Sequence, residues 1–344
     1  MDESFQLWVD LAALAALFGI VAYALLGGAD FGGGVWDLFA SGERRKQQRL
    51  AIQRAMGPVW EANHVWLIFV IVVLFTCFPR GFAALGMALF MPFHLALIGI
   101  VLRGSSFIFR SYQSRGKEAA AETSSWGVVF GVASIISPML LGTAFGVVTQ
   151  GRVGLAPGGE ALALHPVTWL SWYAIANGFL ALASCAYLAA VYLMLETTGD
   201  LRDDFRRRAI VAGTTTAALA LLVLILARSE AEWFFGRLIS WRTLPLVAGG
   251  LFCFAVSGWA VFSRRYELAR SFAAAEIALL LLGWGVAQYP YLAYPDMRLA
   301  EVAAPMATLR FVVLSLPVGG LLLFPSLWLL LTVFKSRPQD RMTE

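Results

Sequence analysis

Charge is what this chain has least of. Asp, Glu, Lys and Arg make up 14% of its 344 residues, where a soluble globular chain carries about 25%. A water-soluble fold of this length could not cover its surface with so few charges. Cysteine is scarce as well. Cys77, Cys185 and Cys253 all lie in apolar stretches without a C-x-x-C spacing, which excludes a disulfide framework and a thiolate metal site. His64, His94 and His165 are the full set of histidines, too few and too scattered for a zinc cluster. There is no G-x-x-x-x-G-K and no dinucleotide fingerprint, so nucleotide chemistry has no footing. No polar stripe of Lys and Arg with interleaved aromatics points to nucleic acid. Asp2 and Glu3 precede the first basic residue, Arg44, so the N-terminus does not read as a cleavable signal peptide.

Apolar sequence fills the chain instead. The hydrophobic fraction is 59% and the mean hydropathy +0.73. Residues 11–29, 81–102, 126–151, 161–195, 209–227, 243–263, 277–295 and 311–334 contain no charged side chain. A helix needs about 20 such residues to cross a bilayer. The pattern predicts an all-α polytopic membrane protein forming one integral membrane domain over 1–344. Its nine spans fall at 6–40, 52–77, 81–109, 124–148, 167–195, 208–228, 244–263, 268–290 and 309–334. The first is too long for one straight crossing, so it bends or runs past the interface. Short connections make successive helices antiparallel neighbours, and spans 1–4 and 5–8 can form two four-helix bundles with span 9 peripheral.

Basic residues set the orientation. Arg44, Arg45, Lys46, Arg49 and Arg54 follow span 1; Arg110, Arg115 and Lys117 follow span 3; Arg202, Arg206, Arg207 and Arg208 follow span 5. Arg264, Arg265 and Arg270 follow span 7, and Lys335, Arg337 and Arg341 follow span 9. This places 18 of the 26 basic residues on one side. The N-terminus is therefore expected outside and the C-terminus in the cytoplasm, an arrangement that needs an odd number of spans.

An ionisable side chain within a span costs about 2.5–3.5 kcal/mol and suggests a function by default. Here those side chains are Asp30, Glu61, His64, His94, Arg103 and Glu276. At 1.5 Å per residue, Glu61, Arg103 and Glu276 lie roughly 10 Å in from the cytoplasmic side and Asp30 about 15 Å. His64 is one turn deeper than Glu61, and His94 is expected near the midplane. Two readings remain open. Asp30 or Glu61 pairs with Arg103 to hold the bundle, a paired charge being cheaper to bury than a lone one. Alternatively, acids and histidines at successive depths carry protons inward. Glu61-x-x-His64 is half of a di-iron carboxylate motif, but no second E-x-x-H exists to complete it. Haem ligation by a histidine pair is conceivable. The glycines around Asp30, Gly27, Gly28, Gly32, Gly33 and Gly34, allow either close helix packing or a break that keeps Asp30 reachable by water. Trp60 and Trp66 read as core or interfacial anchors.

Three segments carry a family resemblance: GGADFGGGVWDLF at 27–39, GPVWEANHVWLI at 57–68 and, more weakly, VLRGSSFIFRSY at 101–112. In this order on spans 1, 2 and 3, they resemble subunit II of cytochrome bd-type quinol oxidases, including the cyanide-insensitive branch. The resemblance implies a respiratory complex of the bacterial cytoplasmic (inner) membrane that oxidises the quinol pool, reduces O2 to water and takes its protons from the cytoplasm. It puts the b- and d-type haems on a partner, subunit I, with which this chain forms a pseudo-symmetric heterodimer in the lipid bilayer, and assigns no haem to this chain. Some members bind a structural quinone on this subunit, and the resemblance leaves room for a small accessory subunit. The family's second-helix acid falls on Glu61, with Trp60 and Asn63 around it, its first-helix acid on Asp30 and its third-helix arginine on Arg103. His64 stands where some members have Gln. The implied site is a proton path of Glu61, Asp30 and His64, with Arg103 balancing charge and Trp60, Asn63, Gly28 and Gly32 packing it. A secondary transporter with its site at a broken first helix is the alternative, and a structural scaffold for the haem subunit a second one.

The orientation is directly testable. A single cysteine placed in the 149–166 loop should react with a membrane-impermeant thiol reagent on intact cells, while one in the 41–54 loop should not. Labelling of the 41–54 loop would invert the topology.

Overall fold

The apolar runs fold as helices, and the connections between them are short. The computed structural model describes residues 3–114, 125–155, 161–163 and 168–335, except the side chains of 57–61, 111–114, 155, 161–163, 168, 330–331 and 333–335. The first half contains α1 (Glu3–Leu38), α2 (Arg45–Cys77), α3 (Pro79–Ala88), α4 (Phe90–Ser114) and α5 (Ser125–Thr149). A hairpin of β1 (Val153–Leu155) and β2 (Ala161–Ala163) follows. The second half contains α6 (Trp172–Glu196), α7 (Gly199–Glu230), α8 (Glu232–Leu238), α9 (Leu244–Phe262) and α10 (Tyr266–Gln288). A second hairpin, β3 (Tyr291–Ala293) with β4 (Met297–Arg298), leads through α11 (Leu299–Val302) to α12 (Met306–Lys335). Among the described residues, eight helices are long and apolar enough to cross a bilayer, and α2 with α3, bent by 118°, make up the ninth. The chain is a multi-span, all-α membrane protein. The two hairpins are small additions that the apolar pattern does not announce.

The stretch expected as one span over 81–109 divides in two. α2 ends at Cys77, and Pro79 opens α3 at a position where its missing N–H costs nothing. α3 then packs on the first hairpin and on α11, and the crossing itself is α4. His94 is therefore only four residues inside the start of α4, about 6 Å, and not at the midplane. The other large difference is at α7. It begins at Gly199, not near 208, because its charged first turns continue the helix past the apolar stretch.

α1, α2, α4 and α5 form one set of neighbours and α6, α7, α9 and α10 another; α1 joins them by packing on both α5 and α6, and α12 lies against α1 and α2. α1 is helical over all 36 residues, a length of about 54 Å against a hydrocarbon layer of about 30 Å. It runs past the interface and does not break, so the glycine-lined opening that would have exposed Asp30 is absent. The glycines serve close approach instead. A Cβ on Gly32 would overlap the Cys185 carbonyl of α6, one on Gly34 would overlap Ser134 of α5, and one on Gly33 would meet Met56 Cγ of α2 at 2.7 Å. On Gly28 it would meet Leu188 of α6 at 3.0 Å. Trp36 Nε1–H then donates to the Ala186 carbonyl of α6 at 2.7 Å.

The end of the bundle that holds the 41–54 connection, here the basic end, is clamped by charge. Arg44 donates to both oxygens of Asp204 on α7 at 2.9 and 2.8 Å. Gln48 donates to Asp204 at 3.0 Å and accepts from Arg208 at 2.6 Å. Arg208 also reaches the Trp36 and Phe39 carbonyls, at 3.4 and 3.3 Å, a cation at the C-terminus of α1, where the helix dipole favours it. At the opposite end Trp172 and Trp241 are well exposed, as interfacial anchors are.

Gly32→Leu should therefore separate α1 from α6 and cost about 3 kcal/mol or more, read as loss of folded protein from detergent-solubilised membranes. Gly258→Ala, at a position with open space around it, should leave the yield unchanged.

Candidate functional site

The buried acid of α1 and the buried base of α4 meet. Arg103 Nη2–H donates to Asp30 Oδ1 at 2.6 Å and Nη1–H to Oδ2 at 2.7 Å, the bidentate geometry that makes guanidinium–carboxylate pairs strong. Nη2 donates again to the Asp30 carbonyl at 2.9 Å, and Nε–H to Ser134 Oγ on α5 at 2.8 Å. Ser134 passes its own proton back to the Phe130 carbonyl at 2.7 Å. The guanidinium also lies 5.0 Å from the Phe31 ring and 4.7 Å from the Phe130 ring. Asp30 is 1% exposed and Arg103 2%. A single charge at that depth would be costly, whereas the pair is neutral and each member is hydrogen-bonded.

α2 enters the same network. Asn63 Nδ2–H donates to Asp30 Oδ2 at 2.6 Å, so three side-chain donor contacts converge on the Asp30 carboxylate. α4 packs chiefly on α5, and the length of Arg103 lets it reach α1 across the Ser134–Phe130 turn. Thus the network joins four helices, α1, α2, α4 and α5.

The other expected site residues distribute as follows. Glu61 and Trp60 lie two and three residues before Asn63 on α2, and their side chains fall outside the described residues. His64 follows Asn63 and is half-buried. Gly28 and Gly32 pack α1 on α6. His94 is exposed on α4, with its Nδ1 2.7 Å from the Phe90 carbonyl and its ring 3.9 Å from the Phe90 ring. His165 is outside the described residues. Glu276 is buried on α10, among the second set of helices, facing Tyr187 of α6 and Cys253 of α9. Its Oε2 has no hydrogen-bond partner among the described residues. Among those residues no group of three or more His, Cys, Asp and Glu side chains is placed to hold a metal ion.

A second ion pair was missed. Arg110 Nη1–H donates to Asp37 Oδ2 at 2.9 Å and Nη2–H to Oδ1 at 3.2 Å. Arg110 is also 5.4 Å from the Phe130 ring, so Phe130 adjoins both guanidiniums. Asp37 reads in the sequence as the edge of span 1 and Arg110 as a loop cation. The signal was the spacing: Asp30 to Asp37 and Arg103 to Arg110 are both seven residues, two turns on one helix face.

Known proteins resemble this chain in sequence and fold. The sequence profile described as cytochrome bd terminal oxidase subunit II matches residues 8–334. The cytochrome bd ubiquinol oxidase subunit 2 of Bacillus subtilis is 29% identical over 267 residues, 77% of this chain and 74% of that one. The cytochrome bd-I ubiquinol oxidase subunit 2 of Escherichia coli K12 is 28% identical over 202 residues, 57% of this chain and 51% of that one. A chain of the bd oxidase structure from Geobacillus thermodenitrificans has the same fold, with a TM-score of 0.79 and 22% identity over 97% of this chain and 100% of that one. The transporter reading finds no support, either in these likenesses or in the unbroken α1. With the profile matched from α1 to α12 and the fold shared over 97% of its length, the chain belongs to the cytochrome bd terminal oxidase subunit II family.

Proposed function

We propose that this chain is the partner of a haem-bearing subunit I in a membrane quinol:O2 oxidoreductase, and that it supplies a proton path from the cytoplasm through Glu61. It sits in the bacterial cytoplasmic membrane with its basic end inside and its N-terminus outside. The haems stay on subunit I. Membership of the cytochrome bd terminal oxidase subunit II family supports that division.

O2 reduction consumes protons, and a haem site walled by apolar helices cannot receive them unaided. Carboxylates and histidines are the side chains that both accept and release protons at moderate cost. The observation that carries the reading is the Asp30–Arg103–Asn63 network. It neutralises the deepest charges of the first helix set and fixes the α2 turn that bears Glu61 and His64. Asp30, expected to titrate beside Glu61, is better suited to holding Arg103 and Asn63. Glu61 is then the carrier, His64 lies one turn deeper, and Arg103 keeps the layer neutral.

Glu61→Gln keeps the size and hydrogen bonding of the side chain but cannot carry a proton. In the intact complex it should leave haem content unchanged and lower O2 consumption per haem by about tenfold or more, with Glu61→Asp retaining more activity. A fully assembled Glu61→Gln complex that turns over at the unmodified rate between about pH 6 and 9 would reduce this chain to a scaffold.

A further inference from the structure

The two ion pairs between α1 and α4 repeat one motif two turns apart, about 10 Å along the helix axes, yet they are not held alike. Arg103 makes four hydrogen bonds and contacts two rings, and it is sealed. Among the described residues Arg110 makes two, both to Asp37 and both longer than the corresponding Arg103–Asp30 bonds. The side chain of Arg110 is 16% exposed while that of Asp37 is 2% exposed. So the carboxylate is covered, and the arginine that covers it is the more exposed partner. Asp37 is one residue from the end of α1, at the basic end of the bundle.

Other groups hold the backbone beside Asp37. Arg49 of α2 donates to the Asp37 carbonyl at 3.3 Å. Arg208 of α7 donates to the Trp36 carbonyl at 3.4 Å. Phe130 of α5 contributes a ring near Arg110. Arg49, Arg208 and Arg110 meet at this mouth, and Arg110 holds the carboxylate.

We infer that Asp37 is the cytoplasmic inlet of the proton path and Arg110 its movable cover. The inference rests on the proposed proton path through Glu61 and names its first acid. A proton from cytoplasmic water is taken up on a carboxylate oxygen of Asp37 as Arg110 releases it. The resulting O–H gives that proton inward toward Glu61, whose place on α2 is two residues, about 3 Å, to the basic side of the Asn63–Asp30 layer. Asp37, again a carboxylate, recaptures Arg110. One proton enters and one leaves, and no electron moves. The sealed Asp30–Arg103 pair beyond takes no part in opening.

An inlet and a brace differ in what each side of the pair is worth. If the pair only braces α1 against α4, removing either partner does equal harm. If Asp37 carries protons, losing it does more harm than losing its cover. The test is O2 consumption per haem in the intact complex for Asp37→Asn, Asp37→Glu and Arg110→Gln, with haem content as the measure of assembly. Asp37→Asn should fall by about threefold or more, Asp37→Glu should recover most of that loss, and Arg110→Gln, which removes the cover but keeps the acid, should lose clearly less than Asp37→Asn. Full turnover in assembled Asp37→Asn overturns the inlet, as do equal losses in Asp37→Asn and Arg110→Gln. Should Asp37→Asn fail to assemble, Asp37→Ser is read in the same way; failure of both makes the pair a folding brace and also overturns the proposal. A slow Glu61→Gln with a full-speed Asp37→Asn refutes the inlet alone. A full-speed Glu61→Gln removes the path itself and the inlet with it.

Discussion

A bidentate ion pair placed where no water covers it is the constraint on which this bundle depends. Asp30 and Arg103 come from different helices that pack on a third, and each would be expensive to bury alone. Joined, they form a neutral unit with every Asp30 oxygen engaged. The surroundings follow from that requirement. Gly32 and Gly34 let α1 come close to α6 and α5, Ser134 supplies the acceptor for Arg103 Nε–H, and Phe31 and Phe130 present ring faces to the cation. Asn63 brings α2 to the same carboxylate. Changing the side chain at any one of these places alters the fit of the other helices.

The charges of the first helix set therefore form layers. A closed pair lies deep, a less tightly held pair lies at the basic end, and the α2 turn bearing Glu61 lies between them in depth. A proton path through a membrane subunit needs such grading. The deep charge must stay compensated while the groups near the mouth exchange with water. Glu276 of the second helix set is buried with its Oε2 lacking a hydrogen-bond partner among the described residues.

Much of this was legible in the residues. All but one of the expected spans follow from charge-free runs, because lipid allows the backbone no alternative to helix. Arg103 was recognisable as a partner for an acid because a lone buried cation is rarely tolerated. The choice of Asp30 over Glu61 was not legible, since it depends on how closely α1, α4 and α5 pack. The glycines of 27–34 were ambiguous for the same reason: Gly32 reads equally as a break or a contact until the Cys185 carbonyl is placed against it. Asp37 and Arg110 were hidden by position, because a charge at the edge of a span looks solvated. The division of 81–109 into α3 and α4 escaped because a hydropathy run does not register a helix ending at Ala88 and a new one starting at Phe90.

The claim that a compensated buried pair organises the fold has a direct energetic signature. The measurement is a double-mutant cycle on thermal unfolding of the purified complex, with Asp30→Asn, Arg103→Gln and both together. Each single change leaves an uncompensated charge in the interior and should cost about 3–5 kcal/mol. The double variant, in which two neutral amides face each other, should be less destabilised than either single variant. Additive losses, with the double variant the least stable of the three, would show that Asp30 and Arg103 act independently and that the bundle is organised by something else.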